Sequence, residues 1–162
     1  MKKLLYIFVI IFFQFNAAYS LIEVDITRGN LDPLPIAVSP LHVDNKSENY
    51  EDIKVKELGD LVSSVIEKNF LSTGLFNPLD KDAFVQKPDI AHLKPRFEDW
   101  RLITAQALVT GKLLIKDGKL KVEFRLWDLA ASQEMIAIAF TTTPSNWRRV
   151  AHIISDKIYE RL

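Results

Sequence analysis

"ALVTGKLLIKDGKLKVEFRLWDL" (Ala107–Leu129) is the stretch from which the fold can be read. Two extended, alternating runs flank Asp117-Gly118. Those residue types accept the left-handed backbone that both central positions of a two-residue hairpin turn require, so the stretch reads as two antiparallel strands. In the second run Leu120, Val122, Phe124 and Leu126 alternate with Lys121, Glu123 and Arg125, leaving one dry face and one wet face. "EMIAIAFTTT" (Glu134–Thr143) supplies a third strand. Ser145 or Asn146 then caps a C-terminal helix whose apolar stripe is Trp147, Val150, Ala151, Ile154, Ile158 and Leu162.

Upstream, a helix is expected from about Glu51 to Ser72, capped by Asn49 with Asp52 reaching back. Leu58, Leu61, Val62, Val65, Ile66 and Phe70 form its stripe. Gly59 costs helix stability and marks close backbone packing. Gly74 stops the helix in the left-handed conformation. "FNPLDKDAFVQKP" (Phe76–Pro88) holds a short extended piece and a turn, Pro88–Pro95 reads as irregular, and a short helix follows near Phe97–Thr104. "LPIAVSPLHV" (Leu34–Val43) reads as one buried strand. "LIEVDITRG" (Leu21–Gly29) alternates Ile22, Val24 and Ile26 against Glu23, Asp25 and Thr27 as a further strand. The sum is a mixed α/β domain: about five strands in a mixed sheet, packed by two long amphipathic helices. The strand–helix alternation of a Rossmann fold is missing in the second half.

The first twenty residues stand apart from this domain. A basic "MKK", an apolar run of about a dozen residues and a small-x-small ending at Ala18 and Ser20 make a secretory signal peptide, with cleavage expected between Ser20 and Leu21. The run is shorter than the roughly 20 residues that span a bilayer, so no membrane insertion is expected after cleavage. The mature domain would run from Leu21 to Leu162, with the periplasm as its compartment. Lys+Arg and Asp+Glu both number 21; losing Lys2 and Lys3 leaves a slight acidic excess and no electrostatic case for nucleic acid. With no cysteine, neither disulfides nor metal–thiolate sites are available.

Catalytic signals are sparse. Walker, G-x-S-x-G, G-x-G-x-x-G and H-E-x-x-H motifs are all missing, and no cofactor is implied. His152 and Asp156 stand four residues apart, on one face of the C-terminal helix and off its apolar stripe. They form either a surface or interlayer hydrogen-bonding pair or part of a hydrolase or metal site, although a metal needs three or four ligands. Trp100, Trp127 and Trp147 read as core, with ligand stacking as the alternative. The segment with a binding argument is the first strand of the mature chain. A terminal strand has nothing before it to hold it down, is expected at a sheet edge, and can pair with a strand of another protein.

Three stretches resemble the TolB family of the Tol–Pal system: "LIEVDITRGNLDPLPIAVSP", "STGLFNPLD" and "AHIISDKIYERL", the last carrying His152, Ser155, Asp156, Tyr159, Glu160, Arg161 and Leu162. Ser39 and Leu41 depart from the family pattern, which has a valine and an aromatic there. The resemblance implies an N-terminal α/β domain followed by a β-propeller, here missing, so that the chain would be the first domain alone. It implies a non-enzymatic adaptor whose leading segment binds TolA in maintaining the outer membrane and its invagination at division. Carried onto this chain, that segment is Leu21, Ile22, Glu23, Val24, Asp25, Ile26, Thr27, Arg28, Gly29, Asn30, Leu31 and Asp32. Pal binding would require the propeller. The competing expectations are an idle fragment and a hydrolase or metal-binding protein using His152 and Asp156.

Overall fold

The computed structural model describes residues 32–51 and 54–162. The expected signal peptide, its Ser20–Leu21 junction and the expected strand Leu21–Gly29 lie outside the described residues. So does Asp52, the expected capping partner.

The hairpin organises the sheet. β1 (Leu34–Val38), β2 (His42–Val43), β3 (Phe76–Pro78), β4 (Ala107–Lys116), β5 (Lys119–Asp128) and β6 (Gln133–Thr142) form one six-stranded mixed sheet in the order β3-β1-β4-β5-β6, with β2 also paired to β4. β4 and β5 run antiparallel from Ala107 opposite Asp128 to Lys116 opposite Lys119. Asp117 and Gly118 have φ of 50° and 67°, the paired left-handed conformation of a type I′ turn. β1 lies parallel to both β3 and β4.

The apolar run read as one strand is two short ones. Both follow the same edge of β4, and Ser39 N–H still donates to Val109 O (3.0 Å). Position 40, a proline, faces away from β4, and the ladder breaks at the next β4-facing donor, Leu41. The chain swings toward the first long helix there, and Leu41 N–H donates to Gly59 O at 3.3 Å.

That helix, α1 (Val55–Thr73), starts four residues later than expected, with Lys54 at its cap and no capping side chain. The reason is upstream: Ser47 Oγ accepts from Ile115 N–H and Glu48 N–H donates to Ile115 O, so this stretch stays tied to the end of β4. Helix begins at Val55, among the described residues the first after Leu41 that is buried in the core. Leu58, Val62, Ile66 and Phe70 are buried along one face, whereas Leu61 is 40 % exposed and lies outside the stripe. Gly74 (φ 69°) ends the helix, its N–H donating to Leu71 O.

Two short helices, α2 (Pro88–Ala91) and α3 (Phe97–Leu102), follow β3, so Pro88–Pro95 is only partly irregular. The last helix, α4 (Trp147–Tyr159), buries Val150, Ala151, Ile154 and Ile158. Leu162, past its end, is 46 % exposed and does not extend the stripe. Asn146 occupies the cap position, but its side chain donates to the Thr142 and Thr143 hydroxyls instead of capping.

α1 and α4 pack along each other on one face of the sheet, over Ile36, Val109, Leu113, Val122 and Phe124. The other face carries a smaller core that the sequence reading did not foresee. Trp100, Ala91 and Leu129 close over Ala37, Leu108 and Trp127. Trp100 Nε1 donates to Gln86 Oε1 (3.0 Å) and Trp127 Nε1 to Thr110 Oγ1 (2.9 Å), so both indoles are structural.

Gly59 is where α1 meets the β1–β2 bend. A Cβ built there would stand 1.9 Å from Leu41 O, which is backbone and cannot rotate aside. Alanine normally favours a helix by about 1 kcal/mol over glycine. Here Gly59→Ala is expected to destabilise the domain by about 2 kcal/mol through overpacking, read as a lower urea midpoint with unchanged slope.

Candidate functional site

Three places carry polar chemistry. The expected partner-binding segment is represented among the described residues by Asp32 alone. Asp32 and Pro33 are exposed, and they lead directly into Leu34, whose N–H donates to Leu75 O at 2.9 Å. Because β1 is paired on both sides, the segment's attachment point is among the most firmly held strands of the fold while its last residue lies at the surface.

The second place is the cleft between α1 and α4 that contains His152 and Asp156. Asn69 Nδ2, on α1, donates to His152 Nδ1 (3.0 Å) and to Ser155 Oγ (2.8 Å). Ser155 Oγ in turn donates to Ala151 O (3.0 Å). Two consequences follow for the chemistry. The Ser155 proton is committed to a backbone carbonyl, and Nδ1 of His152 is engaged by the Asn69 amide. No hydrogen bond or ion pair joins His152 to Asp156. Among the described residues there is no group of three or more His, Cys, Asp or Glu that could hold a metal ion. The arrangement is an interhelix clamp centred on Asn69, a residue that sequence spacing could not connect to His152.

The third place was also missed by the sequence reading. His42 on β2 and His92 after α2 stack ring on ring, with centroids 4.4 Å apart and planes 5° from parallel. His92 Nδ1 meets Pro88 O at 2.9 Å, and Arg125 Nη1 donates to His92 O at 2.9 Å, tying the α2 turn to the sheet. Burial, and then the neighbouring His92, push the His42 pKa down; Asp89 and Asp44 pull it up, and Lys112 again lowers it. Beside this stack the open sheet face holds a shallow depression of about 160 Å³ floored by Ala137 and Ala139. Its charges are spent on one another. Glu123 pairs with Lys121 (2.7 Å) and Lys112 (3.4 Å), and its carboxyl is held below the ordinary value chiefly by the Lys121 hydrogen bond. Arg125 pairs with Glu134 (3.0 Å).

No helix among the described residues is long and apolar enough to cross a membrane.

Residues 22–135 match the TolB amino-terminal domain. The chain is 64% identical over 159 residues to the Tol-Pal system protein TolB of Pelagibacter ubique (strain HTCC1062), covering 97% of this chain and 36% of that protein. The chain therefore spans about a third of the length of that relative. The crystal structure of TolB from Acinetobacter baumannii superposes with a TM-score of 0.62 at 19% identity, over 80% of this chain and 28% of that one. Lipoprotein GNA1162 from Neisseria meningitidis gives a TM-score of 0.52 at 12% identity, over 80% of this chain and 99% of that one. At these identities the structural likenesses speak to the fold alone.

Two substitutions test the polar contacts. Asn69→Ala removes both arms of the clamp and is expected to cost about 1–2 kcal/mol in urea unfolding, with no change in secondary structure. His42 binds protons less readily in the folded than in the unfolded chain. Its contribution is therefore present above the unfolded value of about 6.5 and is lost as pH falls from there toward the lowered folded value. His42→Asn should accordingly flatten the dependence of the unfolding midpoint on pH between neutral and mildly acidic conditions, relative to the native chain.

Proposed function

The chain belongs to the TolB family, and on that premise we propose that it is a periplasmic, non-enzymatic adaptor of the Tol–Pal system whose leading segment, Leu21–Asp32, binds TolA. The observation that carries the proposal is where the family match begins. It starts at Ile22, the first apolar residue of the Ile22/Val24/Ile26 alternation and just past the Ser20–Leu21 junction with its cleavage pattern. A short alternating strand offers a partner main-chain hydrogen bonds for affinity and one apolar edge for register. Its junction with a doubly paired central strand through the exposed Asp32-Pro33 step supports a tether that a partner can engage without disturbing the domain.

The same reading treats the rest of the domain as scaffold. His152, Ser155 and Asp156 are engaged or separated in ways that leave no nucleophile–base pair, which supports adaptor over hydrolase. Through TolA the adaptor would serve outer-membrane maintenance and invagination during division. Pal, which the resemblance assigns to a propeller, is not proposed as a partner of these 162 residues.

Deleting Leu21–Thr27 is expected to abolish binding to purified TolA, measured by titration calorimetry, while urea unfolding of the domain stays cooperative with an unchanged midpoint. Binding that survives the deletion would overturn the proposal.

A further inference from the structure

The two edges of the sheet are built differently. β3 is three residues long and ends in Pro78, so it offers little for another strand to pair with. β6 is ten residues long and pairs, among the described residues, with β5 alone. "QEMIAIAFTT" (Gln133–Thr142) contains no Lys, Arg or Pro, the residues that usually blunt an open edge. Its one charge, Glu134, sits near one end and is already paired with Arg125.

The hydrogen-bonding phase of this edge follows from the hairpin. Lys116 and Lys119 close a two-residue turn and so form a hydrogen-bonded pair. Bonded and non-bonded pairs alternate along an antiparallel ladder, so Lys121, Glu123 and Arg125 bond to β4, while Leu120, Val122 and Phe124 bond to β6. Their opposites on β6 are Thr142, Phe140 and Ile138. The intervening Ala137, Ala139 and Thr141 therefore direct their N–H and C=O groups away from the sheet. Ile136, Ile138 and Phe140 are only half-buried and pack against the margin of the main core, Phe140 stacked on Phe124 with centroids 6.1 Å apart.

We propose that two copies of this chain pair β6 to β6, antiparallel about a two-fold axis at Ile138, to make one continuous sheet. The strand is self-complementary in this register. Ala137 and the partner's Ala139 exchange both backbone bonds, Ile136 faces the partner's Phe140, and Ile138 faces its own copy, joining two half-covered apolar stripes into one. The run Ile136–Phe140 about the axis carries no charge, so no like charges meet; the bulge at Met135 ends the regular ladder beyond it, and slipping the register by two residues shortens it further. A foreign strand would need to match this phase and apolarity, whereas a second copy does so by symmetry. Such an edge contact is smaller than the roughly 800 Å² per partner of a standard interface, so the association is weak and grows with concentration.

Sedimentation velocity from low micromolar to near-millimolar protein is expected to show a rising dimer fraction. Ala139→Pro removes an outward N–H and leaves the β5 ladder whole, so it should stay monomeric with an unchanged unfolding midpoint. Ile138→Lys and Ile138→Glu each set like charges at the axis and should each stay monomeric, while their equimolar mixture regains the dimer. A native chain that is monomeric throughout would overturn the proposal. So would an Ala139→Pro chain that dimerises as well as the native one, or protection of the Ala139 and Thr141 amides from hydrogen exchange that does not vary with concentration. The last result would mean that the chain's own leading segment covers the edge.

Discussion

Burial of β4 on both faces is the constraint on which the rest of the structure depends. Val109, Leu113 and Ile115 face the long helices, Leu108 faces the Trp100 core, and all are within 1 % of complete burial. A strand dry on both faces cannot stand at an edge. It must be flanked on both sides, and here β5 takes one side while β1 and β2 share the other. The sharing is what forces the Ser39–Leu41 bend, and the bend in turn needs a helix surface with no side chain at the crossing. Gly59 on α1 supplies that surface. Gly111 serves the same bend from below: a Cβ there would lie 2.4 Å from Glu123 O and 3.2 Å from the Leu41 side chain. One leucine is thus held between two glycines some fifty positions apart in the chain, and overpacking there would be felt by sheet and helix alike.

Much of the fold was legible because its strongest signals are local. Turn chemistry at Asp117-Gly118 depends only on the residues in the turn, and the strand bounds beside it were read almost to the residue. The mixed sheet, the two long helices and the helix stop at Gly74 were legible for the same reason. What was not legible depends on distant contacts. The late start of α1 comes from Ser47 and Glu48 binding Ile115, a segment 68 positions away. The second core draws on residues from Ala37 to Leu129 in seven different elements and loops, none of which forms a periodic pattern by itself.

The candidate sites divide along the same line. Spacing placed His152 and Asp156 on one helical face, and α4 keeps them there, but spacing cannot say that the decisive contact is Asn69, 83 positions earlier. The His42–His92 stack is a pairing across fifty positions with no motif to announce it. The alternation of Leu21–Thr27 is a local pattern that belongs to residues outside those the structure describes, so its reading rests on sequence pattern and family.

The two faces of the sheet also differ in how firmly they are closed. The α1/α4 face buries a large continuous core of aliphatic and phenylalanine side chains. The opposite face is closed by two short helices of four and six residues. They are held by a few polar contacts: Gln86 to Trp100 and to the Arg96 amide, and Arg101 to Leu129 O. Fewer apolar contacts and more exposed backbone mean a lower free energy of local opening on that side. Val85, Ile90, Leu93 and Leu102 are all more than half exposed over it, so the cover is itself only loosely packed. β1 belongs to both cores, through Ile36 and Val38 on one face and Ala37 on the other. Opening of the weaker cover therefore leaves β1 anchored by the stronger core.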